Sequence, residues 1–147
     1  RLTRGEYESI TLAREWLVPV SVAADNGEPR FPLPGASGQT VPLIAYHSRG
    51  FLQSAIEAHL SRSKEPVNLL PLNENTQSAS IKALVKQGFG MGWLPSRMTE
   101  KSEHFGSLTR AGDERWDVPL DIRLIRLRKP RSDDLLTLWK TLENQHA

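Results

Sequence analysis

The sequence predicts an α/β domain in which helices cover a mostly parallel sheet, and three observations lead there. Short apolar runs alternate with stretches of helical period from Pro42 onward. Strand and helix signals in strict alternation favour parallel strands joined by right-handed crossovers. The segment Ser78 to Pro95, SASIKALVKQGFGMGWLP, specifies a helix, its stop and the next strand in eighteen residues. The chain ends on Leu135, Leu138, Trp139 and Leu142, spaced i, i+3, i+4, i+7 as one stripe of an amphipathic helix.

Ser9 to Ala13 and Glu15 to Val22 read as two short strands or one interrupted strand, with Pro19 marking an edge, a bulge or a crossing point. Asp25 to Gln39 holds four Gly or Asn and three Pro, the composition of turns and irregular loop. Pro42 to Tyr46 is a short apolar strand. Ser48 then stands where an N-cap is wanted, before a helix with Leu52, Ala55, Ile56, His59 and Leu60 on one side. That helix is over by Pro66, and Val67 to Leu72 forms the next strand.

Asn75 or Thr76 is expected to cap the following helix, which buries Ile81, Leu84 and Val85 and leaves Lys82, Lys86 and Gln87 to water. Gly88 sits at the left-handed C-cap position, Gly90 and Gly92 are expected to let the backbone turn tightly, and Met91, Trp93 and Leu94 supply the strand that Pro95 ends. Ser96 to Ser102 allows one or two helical turns, and Leu108 to Leu120 shows no clear period. In the strand Asp121 to Leu127, Ile122 and Leu124 lie on one face but Ile125 and Leu127 on the other. Either the strand passes between two cores, or it is covered on both faces. Ser132 is expected to cap the last helix, with Asp133 and Asp134 at the positive end of its dipole.

At 147 residues the chain has the size of one domain that buries roughly two thirds of its unfolded surface. Its hydrophobic fraction of 38% and charged fraction of 24% are ordinary, and no apolar run approaches the roughly 20 residues of a membrane span. The expectation is a soluble protein. The pI of about 9.2 rests on 19 Lys plus Arg against 17 Asp plus Glu, and a formal charge of +2 names no partner. Cysteine is absent, so disulfides and thiolate chemistry are excluded, and a reducing compartment is compatible. The chain begins at Arg1 rather than Met and shows no secretory leader, so it is expected to be a fragment.

No catalytic constellation stands out. His47, His59, His104 and His146 are scattered, Gly35 to Gly38 lacks the nucleophile-elbow spacing, and no metal-ligand motif occurs. Catalytic, metal and cofactor sites are all expected to be none. Gly88, Gly90 and Gly92 follow a helix and precede a strand, the reverse of a dinucleotide cradle. The basic run Arg123, Arg126, Arg128, Lys129 and Arg131 is read as a solvated strand face and loop rather than a nucleic-acid contact, since no wider basic field accompanies it. His59, Trp93 and Trp139 are read as packing residues.

The two helix starts carry more. Unpaired N–H groups and the helix dipole favour a small anion or polar ligand there, and in open α/β sheets ligands collect beyond the carboxyl ends of strands. The loops His47 to Phe51 and Asn73 to Ser78 should therefore share one rim. Candidate binding residues are Ser48 (hydroxyl), Arg49 (charged fork), Gly50 (close backbone approach), Phe51 (apolar wall), and Asn75, Thr76, Gln77 and Ser78 (amide and hydroxyl groups). For Ser48 and Thr76 capping explains the residue type equally well, and Arg49 in water explains its own.

The Leu84-Val85 pair, two further residues, Gly88-x-Gly90 and the closing Leu94-Pro95 resemble the signature of the effector-binding domain of LysR-type transcriptional regulators. Glu15 to Ala24 (EWLVPVSVAA) is similar to the strand entering the second lobe of that domain. Pro42 to Gly50 (PLIAYHSRG) is similar to the strand and loop before its first helix, and Asp121 to Leu127 with the last helix to the return to the first lobe. Within the family, Glu15 to Asn26 and Gly92-Trp93-Leu94-Pro95 resemble the branch containing the hypochlorite-responsive regulator, although only Met91 and Met98 offer sulfur for oxidant sensing.

The resemblance implies a periplasmic-binding-protein-like (type 2) architecture. It has a Rossmann-like second lobe over residues 19–120, the tail of a first lobe with a hinge strand over 1–18, and a return strand with helix over 121–147. It implies a non-enzymatic, cytoplasmic homo-oligomer that binds a small-molecule effector between lobes through the two loops named above. Promoter DNA would be contacted only by an N-terminal winged helix-turn-helix that this chain lacks, and no membrane is involved. A periplasmic-type solute-binding protein shares the architecture and is the alternative; a small α/β enzyme is a third class, for which no titratable pair is evident. With most of a first lobe absent, the last helix is expected to expose an apolar stripe unless something covers it, and the chain is expected either to self-associate or to have that stripe covered by a segment it lacks here.

Overall fold

The computed structural model describes residues 7–99, 107–127 and 133–146. It contains six strands, β1 (Tyr7–Val22), β2 (Val41–Tyr46), β3 (Leu69–Asn75), β4 (Gly92–Pro95), β5 (Leu108–Arg110) and β6 (Val118–Leu127), and three helices, α1 (Phe51–Arg62), α2 (Ser78–Lys86) and α3 (Asp133–His146). Single 3-10 turns cover Ser96–Met98 and Glu114–Trp116. The chain divides into two compact units, Trp16–Val118 and Arg1–Glu15 with Pro119–Ala147. Among the described residues no helix is long and apolar enough to cross a membrane.

In the larger unit β2 and β3 are parallel, and β4 joins β2 in parallel through the Leu43–Met91 bridge, where Ile44 N donates to Met91 O at 2.8 Å. α1 connects β2 to β3 and α2 connects β3 to β4, the crossover pattern that the alternation predicts. The expected parallel sheet needs one correction. β1 lies between β4 and β5 and is antiparallel to both, so β2, β3, β4 and β5 run one way and β1 the other.

β1 is one continuous strand rather than two. Pro19 sits inside it, opposite Trp93, and is fully buried. A strand residue points its N–H and C=O to the same side. The Pro19 carbonyl accepts from Ala111 N at 3.0 Å, just beyond the last residue of β5, and the Ala111 carbonyl that a Pro19 N–H would have met accepts from Leu33 N at 2.7 Å, so the missing donor leaves no acceptor unpaired.

The core follows the signature segment. Ile81 and Val85 of α2 are fully buried, as are Met91, Trp93 and Leu94, while Leu84 is only half-buried. Gly88 has φ +81°, the left-handed cap expected of it. Gly90 and Gly92 serve close approach rather than a tight turn: a Cβ on Gly90 would lie 2.7 Å from Pro42 O, and one on Gly92 2.8 Å from Ile81 Cγ2. In α1 only Gln53 and Ile56 are buried; Leu52, Ala55, His59 and Leu60 are half-covered. Trp116 is a further core residue, its carbonyl accepting from Trp93 Nε1 at 2.8 Å.

In the smaller unit β1 and β6 pair, and α3 lies with them. The Arg126 guanidinium stands 4.5 Å from the Trp139 ring centroid and donates to Glu8 Oε2 through Nε (3.2 Å) and Nη2 (2.7 Å). Trp139 is buried and donates through Nε1 to Glu143 Oε1 at 2.7 Å. Ile122 and Ile125 are both exposed, so β6 is not covered on both faces; its first residue, Val118, belongs to the larger unit and the rest to the smaller. Leu138 is exposed and Leu142 half-buried. The proposed cap Ser132, the residues Arg128, Lys129 and Arg131, and the side chains of Leu127, Asp133, Asp134 and Leu135 lie outside the described residues.

Candidate functional site

The carboxyl ends of β2, β3 and β4 meet on one rim of the larger unit. Tyr46, the last residue of β2, pairs with Asn75, the last of β3, and His47 N donates to Asn75 O at 3.0 Å. The loops leading into α1 and α2 are thus adjacent. The Tyr46 hydroxyl donates to Trp93 O in β4 at 2.9 Å and lies 2.7 Å from Ser78 Oγ at the first residue of α2. With its proton on Trp93 O, the phenol oxygen accepts from Ser78. Burial raises the Tyr46 pKa above 10.0, against the opposing effects of the Ser78 bond and the nearby Arg97 charge.

Both helix starts are built differently from the expected caps. α1 has Gly50, not Ser48, at its N-cap, with no side-chain cap bond. The turn before it is closed by His47: Gly50 N donates to His47 O at 2.8 Å, and Arg49 N donates to His47 Nδ1 at 3.2 Å. A Cβ on Gly50 would approach His47 O to 3.1 Å, so the turn favours glycine. α2 has Gln77, extended, at its N-cap, again without a side-chain bond, displacing both Asn75 and Thr76 from that role. Uncapped first turns leave backbone donors open on the rim.

Of the eight residues singled out from the sequence, Ser48, Arg49, Thr76 and Gln77 are exposed, Gly50, Asn75 and Ser78 half-buried, and Phe51 68% exposed. An exposed phenylalanine opening a helix presents a bare apolar wall. Asn75 Nδ2 is buried with no hydrogen-bond partner among the described residues, a donor awaiting an acceptor. Buried Gln53, in the first turn of α1, carries a second such atom, Oε1. Gln53 escapes the apolar pattern from which a helix face is read.

The rim continues past β4. Because β5 runs the same way as β4, its carboxyl end is also here, and a cavity of about 760 Å³ opens beside Ser96 and Thr99, lined further by Trp16, Val18, Arg110, Glu114 and Asp117. Sequence reasoning did not find these residues, since they meet only once β1 is inserted between β4 and β5. Their one sequence-level signal is Trp16, a large aromatic opening the apolar run that follows Glu15. Among the described residues no group of His, Asp or Glu is arranged to hold a metal.

No protein-family profile matches the chain, and no curated protein matches it. Solved structures do. The chain superposes on full-length HypT of Salmonella typhimurium, described as a hypochlorite-specific LysR-type transcriptional regulator, with TM-score 0.76 and 22% identity over 97% of this chain and 47% of that one. The isolated regulatory domain of HypT in its apo form gives TM-score 0.76 and 23% identity over 99% and 68%. The regulatory domain of CcmR from Synechocystis PCC6803, in complex with 2-PG, gives 0.69 and 15% over 99% and 70%. The chain therefore has the fold of LysR-type regulatory domains, and it spans about half the length of full-length HypT.

Proposed function

We propose that the chain is the effector-sensing part of a LysR-type transcriptional regulator: a cytoplasmic homo-oligomer that binds a small polar or anionic molecule and passes its occupancy to promoter DNA through a domain outside this chain. The regulators that share the fold are transcription factors rather than enzymes, and one of them, DarR of Vibrio fischeri, is known in complex with DNA. The carrying observation is the rim, where two adjacent helix starts without side-chain caps stand over the unpaired Asn75 amide. Open backbone donors, the dipoles of α1 and α2 and the Arg49 guanidinium all favour negative charge or acceptor oxygens.

In this reading Ser48, Arg49, Gly50, Phe51, Asn75, Thr76, Gln77 and Ser78 form the effector-contacting surface, and the ligand is held rather than transformed. Residues 1–18 and 121–147 belong with a first lobe and 19–120 form the second. Effector control requires a ligand with different affinities for two arrangements of the protein. The test is a thermal-shift screen of small carboxylates and phosphates, repeated on Arg49→Ala and Asn75→Ala. A stabilising ligand that loses about tenfold in affinity in either variant supports the reading; ligands indifferent to both substitutions overturn it.

A further inference from the structure

The cavity beside Ser96 holds chemistry that the helix starts lack. Trp16 and Val18, two residues apart on β1 and so on one face of it, line the cavity together with the acidic residues Glu114 and Asp117. Among the described lining residues, Arg110 against Glu114 and Asp117 leaves one net negative charge. The arginine is already engaged, with Nη2 on Asp117 Oδ1 at 2.5 Å and Nε on Gly112 O at 3.1 Å. Arg115, next to Glu114 in the chain, turns instead to Asp113 and Glu65. Glu114 has no ion pair among the described residues, and the Trp16 side of the same cavity is half open to solvent at 49% exposure.

A carboxylate with no counter-ion among the described residues and a half-exposed indole line one cavity, and both suit a cation. We propose that this cavity binds a small organic cation, an amine or guanidine on a flat or apolar body, with its charge between the Glu114 carboxylate and the face of Trp16. Indole is the strongest aromatic partner for a cation, and with Glu114 exposed and Trp16 half-exposed the contact is worth a factor of about two to five in affinity. Together with the anion-favouring helix starts on the same rim, the cavity makes an effector with charges of both signs the best match; that last step alone rests on the proposed sensing function.

The 147-residue chain is titrated with phenethylamine, 3-phenylpropanoate and 3-phenylpropanol by calorimetry and tryptophan emission, Trp93, Trp116 and Trp139 being buried and Trp16 open. Saturable binding of the amine is expected, with the carboxylate at least about tenfold weaker. Glu114→Gln and Trp16→Leu should each weaken the amine about two- to fivefold or more, Trp16→Phe less, and Lys64→Ala, exposed and outside both sites, not at all. No saturable amine binding, equal binding of the carboxylate, or indifference to Glu114→Gln overturns the proposal. Amine binding lost while an Arg49-dependent ligand persists removes the cavity assignment alone; the converse result removes the helix-start assignment alone.

Discussion

The hydroxyl of Tyr46 lies 2.7 Å from Ser78 Oγ, joining the end of β2 to the first residue of α2 over the rim. The same hydroxyl satisfies the buried carbonyl of Trp93, so one phenol holds two strand ends and a helix start in place. Tyr46→Phe should cost about 1–3 kcal/mol, because a buried acceptor loses its donor while the ring still fills its space. Urea denaturation of the two proteins measures the difference; a loss below a few tenths of a kcal/mol would show that water replaces the bond.

The same residue sets an alkaline limit. Burial raises the Tyr46 pKa above its unfolded value of 10.0. A group whose proton is held more tightly in the folded state contributes stability that is complete below the unfolded pKa and is lost as pH rises through the folded one. Stability should therefore decline above about pH 10. Tyr46→Phe should flatten that limb of a stability–pH curve while leaving the acid limb unchanged.

At the acid end the sign is opposite. The Arg115 side-chain bond, and then its backbone N–H, hold Asp113 below its ordinary 3.8. Any stabilisation from this pair is present above pH 3.8 and disappears as pH falls through the depressed value. Both groups are fully exposed, so the pair should fade in high salt, and Arg115→Gln should move the Asp113 carboxyl resonance toward its ordinary titration midpoint in an NMR titration.

Gly90 and Gly27 separate crowding from backbone conformation. A Cβ at Gly90 meets a backbone oxygen 2.7 Å away, whereas Gly27, at φ +84°, has nothing within 4 Å. Gly90→Ala should cost about 1–3 kcal/mol or more, since the Pro42 carbonyl is fixed by its bond from Met91 N, and Gly27→Ala about 1 kcal/mol from the left-handed backbone alone. Thermal midpoints in the reverse order would show that β2 yields more readily than its bonding suggests.

Arg126 sits between Glu8 and Trp139 with Nη1 buried and unpartnered among the described residues. Glu8→Gln keeps the shape and removes the counter-charge, and a loss of about 1 kcal/mol is expected, modest because Glu8 is 38% exposed. A double-mutant cycle with Arg126→Met isolates the pair from the packing of the arginine stem on the indole.

What the sequence made legible was local. From Ile81 to Pro95 the apolar period, the cap glycine and the closing proline lie within fifteen residues, and each acts on its neighbours. Helix starts were misplaced because serine and threonine advertise caps, whereas here His47 closes the turn before α1 and Ser78 gives its hydroxyl to Tyr46. Gly92 looked like a turn residue because the contact that demands it, Ile81 Cγ2, lies a helix away. The direction of β1 was hidden for a related reason: alternation of elements fixes crossovers between successive strands, but not where an earlier strand inserts. Trp16, Arg110 and Asp117 became neighbours only through that insertion, so the cavity had no signature to read.

Along β3 the register slips by one residue between Leu43 and Ile44, leaving Leu72 as the extra residue next to Pro71, and both Leu70 and Leu72 face solvent. A bulge beside an imino acid interrupts the row of free amides that a foreign strand would need for continuous pairing. Among the described strands the edge strand thus shows apolar side chains to its surroundings without offering an unbroken amide row, so a partner would gain more from those side chains than from extending the sheet.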